Sequence, residues 1–272
     1  MNAPLYDKTT PDQSVGLTAA LWQQSLQRYV SENPEYGVRL KDDFTDYVLA
    51  TGTTGASVSR GYSAVDSAAA GGTYTVATQN GPDGSLSVAS DGTTNHFGVE
   101  VQRSPAVVTT PLHATTASRR GRVVFEASVD FSTADTAFVG LTEAGANFLS
   151  ATSTLPSTSD YVGFYTADNG TTVVFHCVND NDGNTAVAQS YDVSAHVQST
   201  GYNKLGFALN KDGSIEICVN GVWIPKSVHA IPSSTCFPIE TLTVRFSATA
   251  GGGTTAPAIL VRDYDCFVER AL

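Results

Sequence analysis

The residues of this chain whose types and spacing could do chemistry are few, and each group has a plainer reading beside it. Asp263 and Asp265 lie two apart in the run Ile259-Leu-Val-Arg-Asp-Tyr-Asp-Cys-Phe-Val-Glu269, and strand alternation puts both carboxylates on one face. Such a pair can divide acid and base work when its surroundings separate the two pKa values. Any solvated strand produces the same spacing, and no third group stands nearby in sequence, so the pair is expected at a sheet surface. The segment Asn179-Asp-Asn-Asp-Gly-Asn184 gathers oxygen ligands around a glycine, as a calcium loop does. Against the EF-hand pattern, however, Val178 and Gln189 occupy the first and last ligand positions, so the segment reads as a hairpin tip between strands ending at Val178 and starting at Thr185. His96, His113, His176, His196 and His229 are never two or four apart, which leaves no strand-borne or helix-borne metal pair. The motifs of a serine nucleophile elbow, a zinc protease helix and a phosphate-binding loop are absent. Cys177, Cys218, Cys236 and Cys266 show no C-x-x-C spacing and are expected as buried free thiols, with no metal and no cofactor, and two disulfides stay open only where the assembled product meets oxidising conditions. Tyr161, Tyr165, Tyr191, Tyr202 and Trp223 could stack sugar rings, and they are equally ordinary strand residues with a polar tip at the sheet rim.

Composition narrows the partners. The chain has 272 residues with 26 carboxylates against 15 basic side chains, and its basic residues cluster nowhere beyond Arg119-Arg120-Gly-Arg122. An acidic surface of this kind repels phosphate backbones, so nucleic acid is not an expected partner. No apolar run approaches the roughly 18 residues that span a bilayer, and Met1-Asn-Ala-Pro-Leu-Tyr-Asp-Lys8 lacks the pattern of a secretory signal. The expectation is a soluble protein made in the cytoplasm, without a membrane partner.

The elements that would position these residues are strands. In Lys204-Leu-Gly-Phe-Ala-Leu-Asn-Lys-Asp-Gly-Ser-Ile-Glu-Ile-Cys-Val-Asn-Gly-Val-Trp223, Leu205, Phe207 and Leu209 alternate with small or polar residues, Asp212-Gly213 supplies a turn, and Ile215, Ile217 and Val219 alternate again before Asn220-Gly221. This is a hairpin with one buried face, continued as a meander. A strand over 122–131 is expected to turn Val123, Phe125, Ala127, Val129 and Phe131 to the core and Glu126, Ser128 and Asp130 to water. Further strands are expected near 41–51, 73–78, 85–89, 95–102, 136–141, 161–166, 172–178, 185–191, 241–248 and 259–268, and a long loop or arm over 52–72. Ahead of them, Leu17, Leu21, Trp22, Leu26, Tyr29 and Val30 fall on one stripe of period 3.6, which predicts an amphipathic helix from Ser14 to Asn33. The reading is an all-β antiparallel sandwich over 96–272, a short-strand segment over 41–95 that joins it, and a helix-bearing arm over 1–40.

The run from Tyr202 to Trp223, the strand Phe125-Glu-Ala-Ser-Val-Asp-Phe131 and the final Arg262-Asp-Tyr-Asp-Cys-Phe-Val-Glu269 resemble sheet strands of the concanavalin A-like jelly-roll superfamily, over about Phe97 to Glu269. The resemblance implies a jelly-roll β-sandwich. The E-x-D-x-E strand of that superfamily's glucanases has no match, since Glu126 and Asp130 stand without a second Glu, and the calcium-supported sugar site of its legume lectins has no counterpart. A jelly roll without those groups, preceded by a helix-bearing arm and rich in small residues, resembles capsid decoration (cement) proteins of tailed bacteriophages. That resemblance implies a non-enzymatic virion protein on the outer capsid surface, a homo-oligomer, most often a trimer, that binds the major capsid protein. The stripe Leu17, Leu21, Trp22, Leu26, Tyr29 and Val30 would be its assembly contact. The alternative is a lectin-like module of a phage tail or receptor-binding protein, with Tyr161, Tyr165, Tyr191, Tyr202 and Trp223 as glycan contacts.

Overall fold

Short alternating runs between Gly-, Asn- and Ser-rich turns cannot bury an apolar face alone, so they pair into sheets, and the sheets stack. The computed structural model describes residues 37–44, 51–52, 57–59, 62–67, 74–79, 84–90, 98–103, 122–133, 135–143, 148–149, 155–167, 171–180, 187–210, 213–224, 236–238, 240–249 and 258–269. In chain order the strands are β1 (Gly37–Asp42), β2 (Thr51–Gly52), β3 (Ser57–Ser59), β4 (Tyr62–Ser67), β5 (Tyr74–Gln79), β6 (Ser85–Ser90), β7 (Gly98–Arg103), β8 (Val123–Thr133) and β9 (Thr136–Glu143). They continue as β10 (Tyr161–Thr166), β11 (Val173–Asn179), β12 (Val187–Asp192), β13 (Asn203–Leu209), β14 (Ile215–Val219), β15 (Val222–Ile224), β16 (Leu242–Thr249) and β17 (Ala258–Glu269). One sheet runs β15-β14-β13-β8-β17-β6-β5-β2 with β1 also on β17, and the other runs β12-β11-β10-β9-β16-β7-β4-β3. Every pairing is antiparallel. The result is an all-β two-sheet sandwich, and its winding is consistent with a jelly roll.

One continuous core lies between the sheets. Val123, Phe125, Ala127 and Val129 of β8 meet Val139 and Leu141 of β9 and Val244 and Phe246 of β16 there, with Phe207, Phe164 and Phe175 packed ring against ring at 5.4 to 6.3 Å. The expected hairpin is present: β13 pairs β14 with Phe207 opposite Ile217, and Asn220 and Gly221 turn into β15 at φ of 50° and 80°. Those values are the left-handed pair that a two-residue hairpin turn requires. Asn220 is bound further: its Oδ1 accepts the Lys204 N–H, and its Nδ2 donates to the His196 carbonyl and to Asn203 Oδ1.

Four expectations change. The stretch expected as a loop over 52–72 contains β3 and β4, and β4 pairs β7 along its length while Tyr62 and Ala64 enter the core. Its small residues hid the alternation. The first strand ends at Asp42, earlier than expected, because Phe44 takes φ 54° with its N–H bound to Asp42 Oδ1 at 2.8 Å. A left-handed Phe is strained, and burial of its ring against Tyr62, Phe246 and Tyr264 at 5.9 to 6.0 Å offsets the cost. The second face of β8 is wet only at its ends, since Val124, Glu126 and Ser128 are buried while Arg122 and Asp130 are half-buried. Strands of both sheets occupy 37–90, so the segment expected to join the sandwich is part of it. The helix expected from Ser14 to Asn33, with Leu17, Leu21, Trp22, Leu26, Tyr29 and Val30, lies outside the described residues.

Gly140 of β9 and Gly163 of β10 face each other across the ladder beneath the ring of Phe138. A Cβ on Gly163 would meet the Val139 carbonyl at 2.4 Å and Phe138 Cζ at 2.7 Å, whereas one on Gly206 would approach nothing closer than 3.3 Å. Gly163→Ala is therefore expected to lose roughly 1–3 kcal/mol in urea denaturation, and Gly206→Ala clearly less. Equal losses would remove the steric account.

Candidate functional site

The outer face of the eight-stranded sheet carries the most concentrated set of buried polar and aromatic groups. Arg245 of β16 is 1% exposed and is satisfied on all sides: Nε donates to Thr142 Oγ1, Nη1 to Glu100 Oε2, and Nη2 to Gln102 Oε1 and the Glu143 carbonyl. Its guanidinium lies 5.3 Å from the ring centre of Phe148, and the other oxygen of Glu100 accepts the Leu149 N–H at 2.9 Å. Burial pushes the arginine below its usual pKa, and the Glu100 carboxylate opposes that shift. The pair fixes residues 148–149 over the sheet. Phe138, Phe148, Leu149, Tyr161 and Val178 form an apolar layer there, with Leu155 and Tyr165 at its margin.

His176 borders this layer, with Tyr165 edge-on at 5.9 Å and Tyr161 tilted at 6.5 Å. Burial lowers its pKa to about 4, so the ring is neutral at physiological pH. It is an aromatic wall with two nitrogen atoms, not an acid. His176 stands half-buried on β11.

At one end of the same sheet, carboxylates from three neighbouring strand ends converge. Glu143 ends β9, Asp160 precedes β10 and Asp180 follows β11, and a ligand oxygen from each lies within 4.8 Å of the others. These are the described residues that could hold a hard divalent cation through oxygen. Their amide bonds give them a plainer task. Asp160, fully buried, accepts the Asp180 N–H on one oxygen at 2.7 Å and the Glu240 N–H on the other at 2.8 Å, and Glu143 Oε1 accepts the Asp160 N–H at 2.7 Å. The cluster thus ties β9, β10, β11 and the chain before β16 together. Burial first, then the neighbouring acids, raises the Glu143 pKa. Asp180 belongs to the segment weighed as a calcium loop, and β11 does pair β12 across that segment as a hairpin. Sequence reasoning missed Glu143 and Asp160, because only strand order brings them beside Asp180.

Asp263 and Asp265 lie on the outer face of the nine-stranded sheet, opposite Ser128 and Glu126 of β8. Asp265 receives the guanidinium of Arg39 from β1 on both oxygens. Asp263 is half-buried, and that burial raises its pKa against the pull of Lys204, Arg262 and Lys41. Glu126 beside them holds Lys204 Nζ at 2.7 Å. The pair therefore sits in a cross-strand charge lattice and not on open surface.

The five aromatic residues considered for glycan contact do not form one platform. Tyr161 is 4% exposed within the layer under Phe148, Tyr165 stands at its edge, and Tyr191 packs against the inner core. Trp223 lies on the opposite sheet over Val124, Ala208 and Phe267, and Tyr202 stacks under the Arg262 guanidinium at 4.1 Å. Only Tyr161 and Tyr165 share a surface, and His176 joins them.

Two outcomes test these assignments. Arg245→Met leaves the Glu100 carboxylate buried and unpaired, and it should cost about 3–5 kcal/mol in urea denaturation. Adding Glu100→Gln should recover a large part, because the stranded charge is gone; a loss under about 1 kcal/mol for the single variant would remove the pair from this role. For His176, the folded ring takes a proton only near pH 4, while the unfolded chain takes one near 6.5. The unfolded state binds more protons in between, so stability is whole above about pH 6.5 and falls toward pH 4 by on the order of 2–3 kcal/mol. His176→Phe should flatten that part of the stability profile, and an imidazole titrating near 6.5 in the folded protein would contradict it.

No family model and no curated protein matches the chain. Among solved structures, a protein of unknown function from Shewanella oneidensis MR-1 aligns at 10% identity with a TM-score of 0.49, covering 87% of this chain and 88% of that one. An endo-1,3-beta-glucanase from Streptomyces sioyaensis aligns at 12% identity and 0.48, over 87% of this chain and 98% of its own. A botulinum neurotoxin serotype G binding domain aligns at 10% and 0.42, over 74% and 44%. Neither ligand nor reaction passes from these neighbours to this chain.

Proposed function

We propose that the chain is a non-enzymatic structural protein of a virion, a capsid decoration protein that binds the outer surface of an assembled phage capsid and stabilises it. The observation that carries this reading is how the described polar groups are used. Arg245 and Glu100, Asp160, and Arg39 and Asp265 are all engaged in bonds between strands, as a load-carrying scaffold requires. The stripe Leu17, Leu21, Trp22, Leu26, Tyr29 and Val30 supplies the contact with the major capsid protein, each side chain gaining roughly 1.5–3 kcal/mol on full burial. Binding only the assembled lattice stabilises that lattice by mass action. Self-association, as a trimer, would multiply such contacts.

A second reading is favoured by one specific feature, the Tyr161, Tyr165 and His176 group on the outer face of the eight-stranded sheet. Aromatic walls beside hydrogen-bonding nitrogen suit a sugar ring, so a lectin-like module of a phage tail or receptor-binding protein is the alternative.

Deletion of residues 1–35 separates the two. In co-sedimentation with capsids, the decoration reading expects the truncated protein to lose particle binding while keeping its cooperative thermal transition. Full occupancy by the truncated protein would sink the anchoring stripe. The lectin reading instead expects glycan-array binding that survives the deletion and falls at least about tenfold in Tyr165→Ala.

A further inference from the structure

The four cysteines do not share one situation. Cys218 faces outward on β14 and Cys266 faces the core from β17, and burial raises both thiols, Cys218 to about 12. Cys177 of β11 and Cys236 are different. The Cys177 thiol donates to the Cys236 carbonyl at 3.0 Å, and the two side chains shift each other's pKa. A second bond fixes the same strip of backbone, because Asn179 Nδ2 donates to the Phe237 carbonyl at 2.9 Å. Two successive inward positions of β11 therefore hold residues 236 and 237 in place. Both sulfurs are fully buried, and the cysteines are 59 positions apart in sequence.

We propose that Cys177 and Cys236 are a latent disulfide, a thiol pair that closes by exchange with a small-molecule disulfide and so cross-links β11 to the chain ahead of β16. A disulfide needs its two sulfurs at about 2 Å with Cβ atoms near 3.8 Å, and a Cys177 sulfur 3.0 Å from the Cys236 carbonyl stands within side-chain reach of that pairing. Cys236 is the first nucleophile. Interaction with the Cys177 side chain lowers its pKa, whereas burial raises that of Cys177. In the first step the Cys236 thiolate forms a bond to one sulfur of the reagent disulfide, and the other sulfur leaves as a thiolate that takes up the proton Cys236 gave up. In the second, Cys177 gives up its proton, its thiolate attacks the Cys236 sulfur of the mixed disulfide, and the remaining reagent sulfur leaves as a thiolate that takes up the Cys177 proton. The two protein thiols are oxidised and one reagent disulfide is reduced to two thiols. Because both sulfurs are buried, exchange proceeds from an open form, and its rate follows the population of that form. A protein made in reducing surroundings would carry the pair open and close it after release. The inference does not depend on the decoration reading, since it concerns only residues inside the sandwich.

The test uses the full chain, purified reduced and equilibrated with oxidised glutathione in buffer and in urea below the unfolding transition. The expected result is a fall from four titratable thiols to two, a peptide map joining Cys177 to Cys236, and a rise in Tm of roughly 5–10 °C that dithiothreitol reverses. The Cys218→Ser, Cys266→Ser double variant should oxidise at an unchanged rate, and Cys177→Ser should stop at glutathione attached to Cys236. Four thiols persisting through equilibration in urea, or a linkage between any other two cysteines, would overturn the proposal. If Cys177→Ser fails to fold, the peptide map of the double variant still decides it.

Discussion

Two sheets stacked face to face are held in register by shape alone unless a directional bond crosses between them. Here one does. Tyr62 of β4 and Tyr264 of β17 reach into the core from opposite sheets, and their hydroxyls meet at 2.5 Å. The chain of bonds continues outward, because Tyr62 donates to Asp42 Oδ2 at 3.0 Å and Arg103 Nη1 donates to the Tyr264 hydroxyl at 2.7 Å. Phe44 packs against both rings, and Arg103 lies 5.6 Å from the ring centre of Tyr62. A polar chain this deep is tolerable only when each member is satisfied, and one that is satisfied selects a single alignment. Burial raises both phenols above their ordinary range, so neither serves as an acid or base near neutrality. The network brings together four strands far apart in sequence, β1, β4, β7 and β17.

The same logic governs the outer faces. A sandwich usually leaves those faces to water, yet Arg245, Glu100, Glu126 and Asp160 are nearly or fully inaccessible. A buried ion pair is not by itself stabilising, because desolvation consumes most of what attraction returns. What the Arg245 pair supplies is direction: five hydrogen bonds to Thr142, Glu100, Gln102, the Glu143 carbonyl and Leu149 permit one placement of residues 148–149. Once that placement is set, Phe138 can lie flat over Gly140 and Gly163, and the aromatic layer with Tyr161 and Tyr165 follows.

How much of this was legible in the sequence depended on the range of the signal. The hairpin from Lys204 to Trp223 announced itself because Asn220-Gly221 and strict alternation are local, and the register Phe207 to Ile217 follows from turn length. β4 was invisible for the opposite reason: Tyr62-Ser-Ala-Val-Asp-Ser67 has one large apolar residue, and its partner β7 supplies the rest of its stability. Polar residues of β8 were assigned to water because Glu126 and Ser128 look soluble. Lys204 and β17, brought beside them by sheet order, change that. Glu143, Asp160 and Asp180, like Cys177 and Cys236, share no spacing that a linear reading could detect.

These contacts also say where an activity would have to stand. A group does chemistry or binds when its preferred partner is missing from the folded chain, and three of the described carboxylates have found theirs. Asp265 holds Arg39, Glu126 holds Lys204, and Asp160 holds two backbone amides. Half-buried aromatic groups also stand on the outer faces, Tyr165 and His176 on one sheet and Trp223 on the other. Surfaces of that kind recognise by shape and stacking, without moving protons. Among the described residues, therefore, the ionic groups serve to join strands, and the aromatic groups of the outer faces pack against the sheet that carries them.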